Sequence, residues 1–248
     1  MDLAADELER IDHAFARNRL LATFPREARA LLEPFGELTD LAPGDLVLRR
    51  GEDVGHSLFP FGSTMVSMIV DVDGGRSIEV ASIGQEGAIG GIVSCGQAPA
   101  FTRAVTLIGG PALSVPMAAL EDAKKRSPFI EHLFCRYSDF LLAQVMQSLA
   151  CNAFHSVDAR AAGWLLTAQD RAGDRLELTQ EAFAGLLGVQ RTTVNAVVQQ
   201  LQDENLISKR RGVIHIVDRV GLKRRSCDCH AALKSHYARV IGAGGSGG

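Results

Sequence analysis

The sequence predicts an α+β protein, with an N-terminal antiparallel β domain and flanking helices, then a long helix, then a helix-turn-helix with a wing. Three observations lead to this prediction. Short apolar segments separated by glycine-rich turns occupy residues 38–115, which is typical of an antiparallel sandwich or barrel. Residues 128–154 carry apolar side chains at near-heptad spacing, which indicates one long helix. Residues 179–217 predict two short helices around a glycine turn, followed by a β-hairpin.

Helices are predicted on both sides of the β domain. Residues 2–35 place Leu8, Ile11 and Phe15 on one helical face, and Pro25 begins a second, shorter helix. Another short helix is predicted after the last strand, at residues 117–125. The predicted strands lie at residues 46–48, 58–59, 65–70, 78–83, 105–108 and 112–115. A tight turn at Asp73-Gly74-Gly75 is predicted to join two of them in a hairpin.

The long helix is predicted to begin at Ser127-Pro128, because proline suits the first helical position. It spans about 25 residues, or roughly 37 Å at about 1.5 Å per residue. A helix this long with one apolar seam packs along another surface, either the chain's own β domain or a second helix. The seam residues are Leu133, Tyr137, Leu141, Val145 and Leu149. Residues 152–156 then predict a hinge, and Ser156 caps the next helix.

The helix-turn-helix is the most specific pattern in the chain. Thr179 is placed to cap its first helix, and Gly188 ends that helix at a sharp turn. In the second helix, Val194, Val197 and Leu201 lie on one apolar stripe. The stripe predicts that this helix is fixed by its inner face and leaves its outer face free.

The outer face of the second helix is polar, which suits insertion into the major groove of DNA. A two-helix hairpin in an ordinary core is the alternative interpretation. The short glycine turn, the polar face and a basic hairpin tip together favour DNA. The side chains predicted to touch DNA are Thr179, Gln180, Gln190, Arg191, Thr192, Thr193, Asn195, Gln199, Lys209, Arg210 and Arg211. Among them, Arg191 suits a guanine, and the last three form the basic tip, placed to contact phosphates.

The distribution of charge agrees with DNA contact in the C-terminal part. Residues 1–154 hold 13 basic and 20 acidic side chains, whereas residues 155–248 hold 13 basic and 9 acidic ones. The sequence has no N-terminal signal pattern and no apolar run near the ~18 residues that a membrane span needs. We therefore expect a cytoplasmic protein without a membrane partner and with reduced cysteines.

Three stretches carry a resemblance to a known family. The run GLLGVQRTTVNAVVQQLQDENLI, with the hairpin after it, resembles the CRP/FNR family of bacterial transcription regulators. The runs PGDLVLRRGE (43–52) and IGQEGAIGG (83–91) look like turns of that family's β-roll, the cyclic-nucleotide-binding fold, and the resemblance covers residues 36–230. It implies a β-roll sensor domain at residues 1–126, a dimerisation helix and hinge at 127–155, a winged helix-turn-helix at 156–230 and a C-terminal tail at 231–248.

The resemblance also implies partners. In that family the long helix pairs with its copy, so the seam of the long helix becomes a homodimer seam. The homodimer would bind a near-palindromic operator in double-stranded DNA. RNA polymerase and a small-molecule effector are further partners that the family implies. Many members carry Glu and a second Arg where this chain has Thr192 and Ala196, so the family's best-known half-site does not carry over.

The family's nucleotide pocket is degenerate in this sequence. Consecutive backbone N–H groups of a glycine-rich turn can hold a phosphate, so the candidate effector contacts are Gly87, Gly90, Gly91, Arg103 and Ala104. Nucleotide-binding members have a Glu where Gly91 stands and a Ser or Thr where Ala104 stands. We therefore expect a sensor that does not use cyclic AMP. Glycines that serve only the turns, or a different ligand, are the two alternatives.

The remaining motifs predict neither an enzyme, nor a metal site, nor a cofactor. Outside the glycine-rich stretch at residues 242–248, neither GxSxG nor HExxH is present. Cys227 and Cys229 are one residue apart, which is poor spacing for zinc, and no second pair of ligands stands out in the sequence. A thiol switch at these two cysteines stays open. The alternative function is a ligand- or redox-sensing module that acts through protein partners instead of DNA.

Overall fold

The computed structural model of the chain describes residues 3–90 and 99–242. The helices in this part are α1 (Leu3–Arg17), α2 (Arg26–Arg29), α3 (Met117–Arg126), α4 (Pro128–Phe154), α5 (Val157–Ala172), α6 (Gln180–Leu187), α7 (Arg191–Asp203), α8 (Arg219–Arg225) and α9 (Cys229–Gly242). The strands are β1 (Glu37–Leu41), β2 (Leu46–Leu48), β3 (His56–Pro60), β4 (Met65–Val72), β5 (Arg76–Ile83), β6 (Arg103–Ile108), β7 (Gly110–Pro116), β8 (Arg175–Glu177), β9 (Ile207–Arg210) and β10 (Val213–Ile216).

Two antiparallel sheets form the N-terminal domain and share one core. The first has the strand order β1-β7-β3 and the second has the order β2-β6-β4-β5. Phe59 of the first sheet and Val66 of the second are fully buried in the same cluster. All six strands that the sequence pattern predicts are present, so the antiparallel α+β prediction is confirmed. The pattern misses β1, because Glu37–Leu41 does not alternate clearly between apolar and polar residues.

Local details of this domain follow the sequence with one exception. The hairpin at residues 73–75 joins β4 to β5, since Val72 pairs with Arg76 across it. Ile11 and Phe15 of α1 are buried in the core, as predicted. Leu8 is 58% exposed, so its place on the packing face of α1 is wrong.

Helix α4 has two apolar faces, which corrects the predicted seam. Leu133, Tyr137 and Leu141 are buried in the chain's own N-terminal core and are therefore inaccessible to a second copy. Val145 and Leu149, farther along, are exposed. The reason is rotational. Residues four apart turn by about 40° more than one full helical turn, so five such residues drift by about 160° around the helix.

Residues 231–242 belong to helix α9, so the prediction of a C-terminal tail is wrong for them. Helix α9 runs against α4, where the ring of Tyr237 meets that of Phe140 edge-on at 5.0 Å. The hydroxyl of Tyr237 donates to the carbonyl oxygen of Glu86 at 2.8 Å. Ile241 is buried in the N-terminal core. The C-terminal helix thus fastens the end of the chain to the first domain.

The C-terminal domain packs on the second sheet of the first domain. Its core contains Leu165 and Phe183 together with Met65 of β4. Helix α6 ends beside β5, where a Cβ added at Gly188 would lie 2.9 Å from Cδ1 of Ile78. The two domains therefore share a contact surface. Across residues 3–90 and 99–242, no helix is long and apolar enough to cross a membrane.

Candidate nucleic-acid interface

The turn between α6 and α7 has the geometry that its sequence predicts. The side-chain oxygen of Thr179 accepts from the N–H of Ala182 at 3.1 Å and so caps α6. Gly188 ends α6 with φ 64°, a left-handed conformation that glycine adopts without steric strain. Helix α7 then begins at Arg191, with Gln190 as its N-cap. These local features set the direction of α7.

The inner face of α7 is its apolar stripe. Val194, Val197, Val198 and Leu201 are all buried in the core of the C-terminal domain. The predicted DNA-contacting side chains of α7 share exposure to solvent: Gln190, Arg191, Thr192, Thr193 and Gln199 are exposed. The structure thus leaves these residues open to solvent at the start of α7 and along its outer side.

Asn195 differs from its neighbours on α7. It is half-buried, and its Oδ1 atom is enclosed without a hydrogen-bond partner in the described part of the chain. Gln180, at the start of α6, is also half-buried. Neither residue presents its whole side chain to a groove.

The predicted wing is the turn between β9 and β10. Arg211 and Gly212 both have positive φ, 46° and 80°, which is the backbone of a two-residue hairpin turn whose twist matches the strands. Lys209 and Arg210 lie on β9 and pair with Ile214 and Val213. Arg210 and Arg211 are exposed and Lys209 is half-buried. Helix α7 contacts β9, the first strand of this basic hairpin.

Arg191 is an exposed cation at the start of α7. Its side chain is 64% exposed, and its guanidinium lies 3.8 Å from the carboxylate of Glu181 on α6. An ion pair this open to water contributes little to stability. The guanidinium is therefore available to another anion or hydrogen-bond acceptor.

Residues 159–225, from α5 through α8, match the family model of the Crp-like helix-turn-helix domain. This match decides the class of the C-terminal domain. Residues 159–225 are a Crp-like helix-turn-helix domain. No curated protein is significantly similar to the whole chain.

Solved structures show that the Crp-like domain here sits in a CRP/FNR-type fold. FixK2 from Bradyrhizobium japonicum aligns with a TM-score of 0.66 and 15% identity, covering 77% of this chain and 98% of its own. A putative regulator of the CRP/FNR family from Eubacterium rectale gives a TM-score of 0.60 and 19% identity, covering 86% and 97%. TTHB099 from Thermus thermophilus, a CRP-family regulator, gives 0.63 and 17%, covering 76% and 96%. At these identities the similarity establishes the fold.

The predicted phosphate cradle near Gly87 is already hydrogen-bonded within the chain. The N–H of Gly87 donates to the carbonyl three residues earlier at 3.2 Å. The N–H of Ala88 donates to the hydroxyl of Tyr137 at 3.0 Å, and that of Ile89 donates to the carbonyl of Leu58 at 2.8 Å. Three consecutive N–H groups therefore have protein acceptors and do not converge on a free anion.

The glycines of this segment are needed for packing. A Cβ at Gly87 would lie 1.8 Å from the hydroxyl oxygen of Tyr137, and one at Gly90 would lie 2.6 Å from the carbonyl oxygen of His56. The third predicted glycine, Gly91, lies outside the described residues.

Arg103 is paired within the sheet. Its Nε donates to both carboxylate oxygens of Asp71, at 3.1 and 2.8 Å. This hydrogen bond holds the pKa of the Asp71 carboxyl below its usual range. Ala104 is fully buried beside it. The Arg103 guanidinium is therefore already paired with a carboxylate within the chain.

A different concavity, here called the interdomain cleft, lies between β5, α4, α5 and α9 and has a volume of about 210 Å³. Sequence reasoning misses it, because its walls come from both domains. Arg171 of α5 lies in it, donating to Glu86 at 2.6 Å and to the carbonyl oxygen of Ser82 at 2.8 Å. Both members of this ion pair are about nine-tenths buried. Gln144 of α4 donates to the same carbonyl oxygen of Ser82 at 3.0 Å.

One end of the interdomain cleft is formed by Cys151, Cys227 and Cys229. The Sγ atoms of Cys151 and Cys227 are 3.6 Å apart, and Sγ of Cys229 is 3.4 Å from Nδ1 of His155. Burial raises the pKa of the Cys151 thiol well above its ordinary value, and the two neighbouring thiols add to the shift.

The sequence argument against a metal site assumed that Cys227 and Cys229 lack a second pair of ligands, and that assumption is wrong. Cys151 on α4 and His155, the residue that caps the C-terminal end of that helix, supply the pair. They are four residues apart, and this spacing is the local signal in the sequence that they lie near each other. Their distance of more than seventy residues from Cys227 hides the association in the sequence.

Proposed function

We propose that the protein is a sequence-specific DNA-binding transcription regulator that acts as a homodimer on near-palindromic operators. The observation that carries the proposal is the exposed polar face of α7 beside the basic hairpin, in a Crp-like helix-turn-helix domain. The buried valines fix α7 to its own domain and leave that face for the major groove.

Different side chains of the interface have different roles in this proposal. Arg191 contacts a guanine, because the guanidinium fork matches the two acceptors of that base. Thr192 and Gln199 contact bases or phosphates nearby. Arg210 and Arg211 of the hairpin hold phosphates and contribute affinity without reading sequence.

The homodimer forms along α4 through residues that the sequence argument only partly identified. Leu142, Val145, Met146 and Leu149 are exposed apolar residues spaced at i, i+3, i+4 and i+7, so they share one outward face. An exposed apolar stripe of this kind marks a protein–protein contact. Two copies joined there present two copies of α7, which suits half-sites roughly 34 Å apart.

The sensor domain works without cyclic AMP in this proposal. The N–H groups of Gly87, Ala88 and Ile89 have acceptors inside the chain, and Arg103 is neutralised by Asp71. A cyclic nucleotide would have to displace these bonds to bind its phosphate there. The signal, if one acts, uses other contacts.

The test is selection from a randomised duplex pool by the purified full chain, at two salt concentrations, with and without cyclic AMP or cyclic GMP. We expect enrichment of a near-palindrome without nucleotide and an affinity that falls as salt rises, since phosphate contacts release counterions. Enrichment only with nucleotide would contradict the sensor proposal. No salt-dependent affinity for any duplex would favour a module that acts through protein partners.

The base-reading role is tested by Arg191→Ala on the selected operator. We expect a loss of ~1–3 kcal/mol in binding and relaxed specificity at one base pair. Arg126→Ala, which removes an exposed arginine from α3, controls for the change in net charge. An equal loss on all sequences would show that Arg191 contacts phosphate instead.

A further inference from the structure

Four side chains that commonly bind metals meet where α4 ends and α8 passes into α9. Cys151 lies in the last turn of α4 and His155 caps the end of that helix, whereas Cys227 lies between α8 and α9 and Cys229 begins α9. The three sulfur atoms and a ring nitrogen of His155 all lie within 4.8 Å of one another. We call this group the Cys3His cluster.

The spacing of the Cys3His cluster matches the coordination shell of one ion. Zinc holds thiolates at about 2.3 Å and imidazole nitrogen at about 2.0–2.1 Å, so its tetrahedral ligand atoms lie about 3.5–3.8 Å apart. The Cys151–Cys227 separation is 3.6 Å, and the Cys229–His155 separation is 3.4 Å. We propose that the Cys3His cluster binds a single zinc ion, with Cys151, His155, Cys227 and Cys229 as its four ligands.

Two other uses of these residues fit the geometry less well. An iron–sulphur cluster places several irons and sulfides between its cysteines, so its ligands stand farther apart than those of one ion. A disulfide between Cys151 and Cys227 would need an oxidant and would leave Cys229 and His155 without a role. Zinc uses all four side chains and needs no electron transfer, because binding only displaces thiol protons to solvent.

The surroundings of the Cys3His cluster suit a bound ion. Nε2 of Gln147 donates to Sγ of Cys229 at 3.1 Å, which is the kind of outer hydrogen bond that orients a metal ligand. Three thiolates and a neutral imidazole around Zn²⁺ carry a net charge of about −1. Arg160 lines the same cleft and interacts electrostatically with Cys151 and Cys227, so its positive charge would offset this negative one. His155 is exposed, so an ion reaches the site from solvent.

The position of the Cys3His cluster gives the ion a mechanical consequence. It would join the end of α4 to the α8–α9 link, across the hinge at residues 152–156. Without that bond, contacts such as those of Arg171 with Glu86 and Trp164 with Glu79 are left to set the angle between α5 and α4. Zinc would therefore fix α7 relative to the dimer helix, and this consequence rests on the proposed DNA-binding function.

The site is tested first by metal analysis, which does not involve DNA. The full chain is purified without a metal-affinity tag and incubated with Zn²⁺, and bound zinc is measured after removal of excess. We expect one zinc per chain in the wild type and in Cys135→Ser, whose cysteine is exposed on α4 away from the cluster. Cys151→Ser, Cys229→Ser and His155→Ala should each lose stoichiometric zinc. His155 is exposed, so its variant should fold.

Cobalt substitution identifies the ligands. Co²⁺ in the wild type should give the visible absorption of a tetrahedral site together with thiolate charge-transfer bands. His155→Ala should weaken cobalt binding but keep the thiolate bands, whereas each cysteine variant should reduce those bands. Equal zinc content in all ligand variants, iron with acid-labile sulfide, a Cys151–Cys227 disulfide in fresh protein, or no zinc in the wild type would each overturn the proposal.

The mechanical consequence is tested separately on the operator from the pool selection. Removing zinc with a chelator should lower affinity for that operator by about tenfold, a typical coupling between two sites, and adding Zn²⁺ back should restore it. His155→Ala should show the low affinity with or without zinc. Stoichiometric zinc with unchanged operator affinity would refute the mechanical role and leave the metal site intact. A failure of all DNA binding would count against the proposed function, because the metal content is measured without DNA.

Discussion

Glu79 of β5 connects the two domains and makes stability depend on pH. Its carboxylate accepts from Nε1 of Trp164 on α5 at 2.8 Å and from the hydroxyl of Ser67 on β4 at 2.5 Å. Burial raises the pKa of this carboxyl from 4.5 to about 7, although both hydrogen bonds and the more distant Arg171 act in the opposite direction. The group is therefore partly protonated near neutral pH in the folded chain.

The direction of the effect follows from the raised pKa. The folded chain binds the proton of Glu79 more tightly than the unfolded chain does. The resulting stabilisation is fully present below pH 4.5 and is lost as pH rises to about 7. Each pKa unit corresponds to about 1.4 kcal/mol, so the rise from 4.5 to about 7 limits the loss to about 3–4 kcal/mol. Part of Glu79 faces the interdomain cleft, and solvent there reduces the effect.

Glu79→Gln removes this dependence, because an amide is neutral at every pH and keeps an oxygen for Trp164. Urea unfolding of the full chain at fixed protein concentration, from pH 4.5 to 8, measures it. The variant should gain stability over the wild type as pH rises, with the difference levelling above pH 7. Glu52→Gln, at an exposed carboxylate, is the matched control. A difference that stays constant with pH would refute the argument.

Three further substitutions test packing, the buried ion pair and the dimer face. Gly87→Ala should destabilise the fold by at least about 2 kcal/mol, because the added Cβ would collide with Tyr137. Gly185→Ala should not destabilise it, because no atom lies within 4 Å of the added Cβ. Thermal unfolding of the two variants tests this difference. Arg171→Met leaves a buried carboxylate unpaired and should lose about 3–5 kcal/mol of unfolding free energy in urea titrations. Arg175→Met, at an exposed pair, should lose less than about 1 kcal/mol. Leu149→Glu should convert the dimer to a monomer in sedimentation experiments. The variant should still fold, because the Leu149 side chain is 73% exposed in the single chain. An unchanged sedimentation coefficient would refute the proposed dimer face.

The parts of the fold that follow from the sequence are those with local causes. Ser127 and Thr179 cap their helices through bonds to N–H groups three residues away. Gly188 and the turn at residues 73–75 fix their bends through backbone conformation alone. Such signals lie within a few residues of the structure they determine. The helix-turn-helix is built mainly from them, which is why its exposed face could be predicted.

The parts that do not follow from the sequence depend on which surface a residue meets. Leu133 and Leu149 are alike as residues in the sequence, yet one lies in the core and the other in solvent, because α4 rotates against a sheet whose position is set elsewhere. Cys151 and Cys227 meet only because α8 packs on α5 and α9 folds back along α4. Periodicity identifies an apolar face but does not identify its partner.

The contact between the two domains includes buried charged groups, whereas the core of each domain is mainly apolar. Opening a core exposes apolar side chains, and no favourable hydration of charge compensates for that loss. In contrast, Arg171 and Glu86 regain water when they separate, and this hydration offsets much of the lost ion pair. The charge on Glu79 likewise favours separation as pH rises. The contact between the domains therefore weakens as pH rises, and the Cys3His cluster lies at the hinge beside that contact.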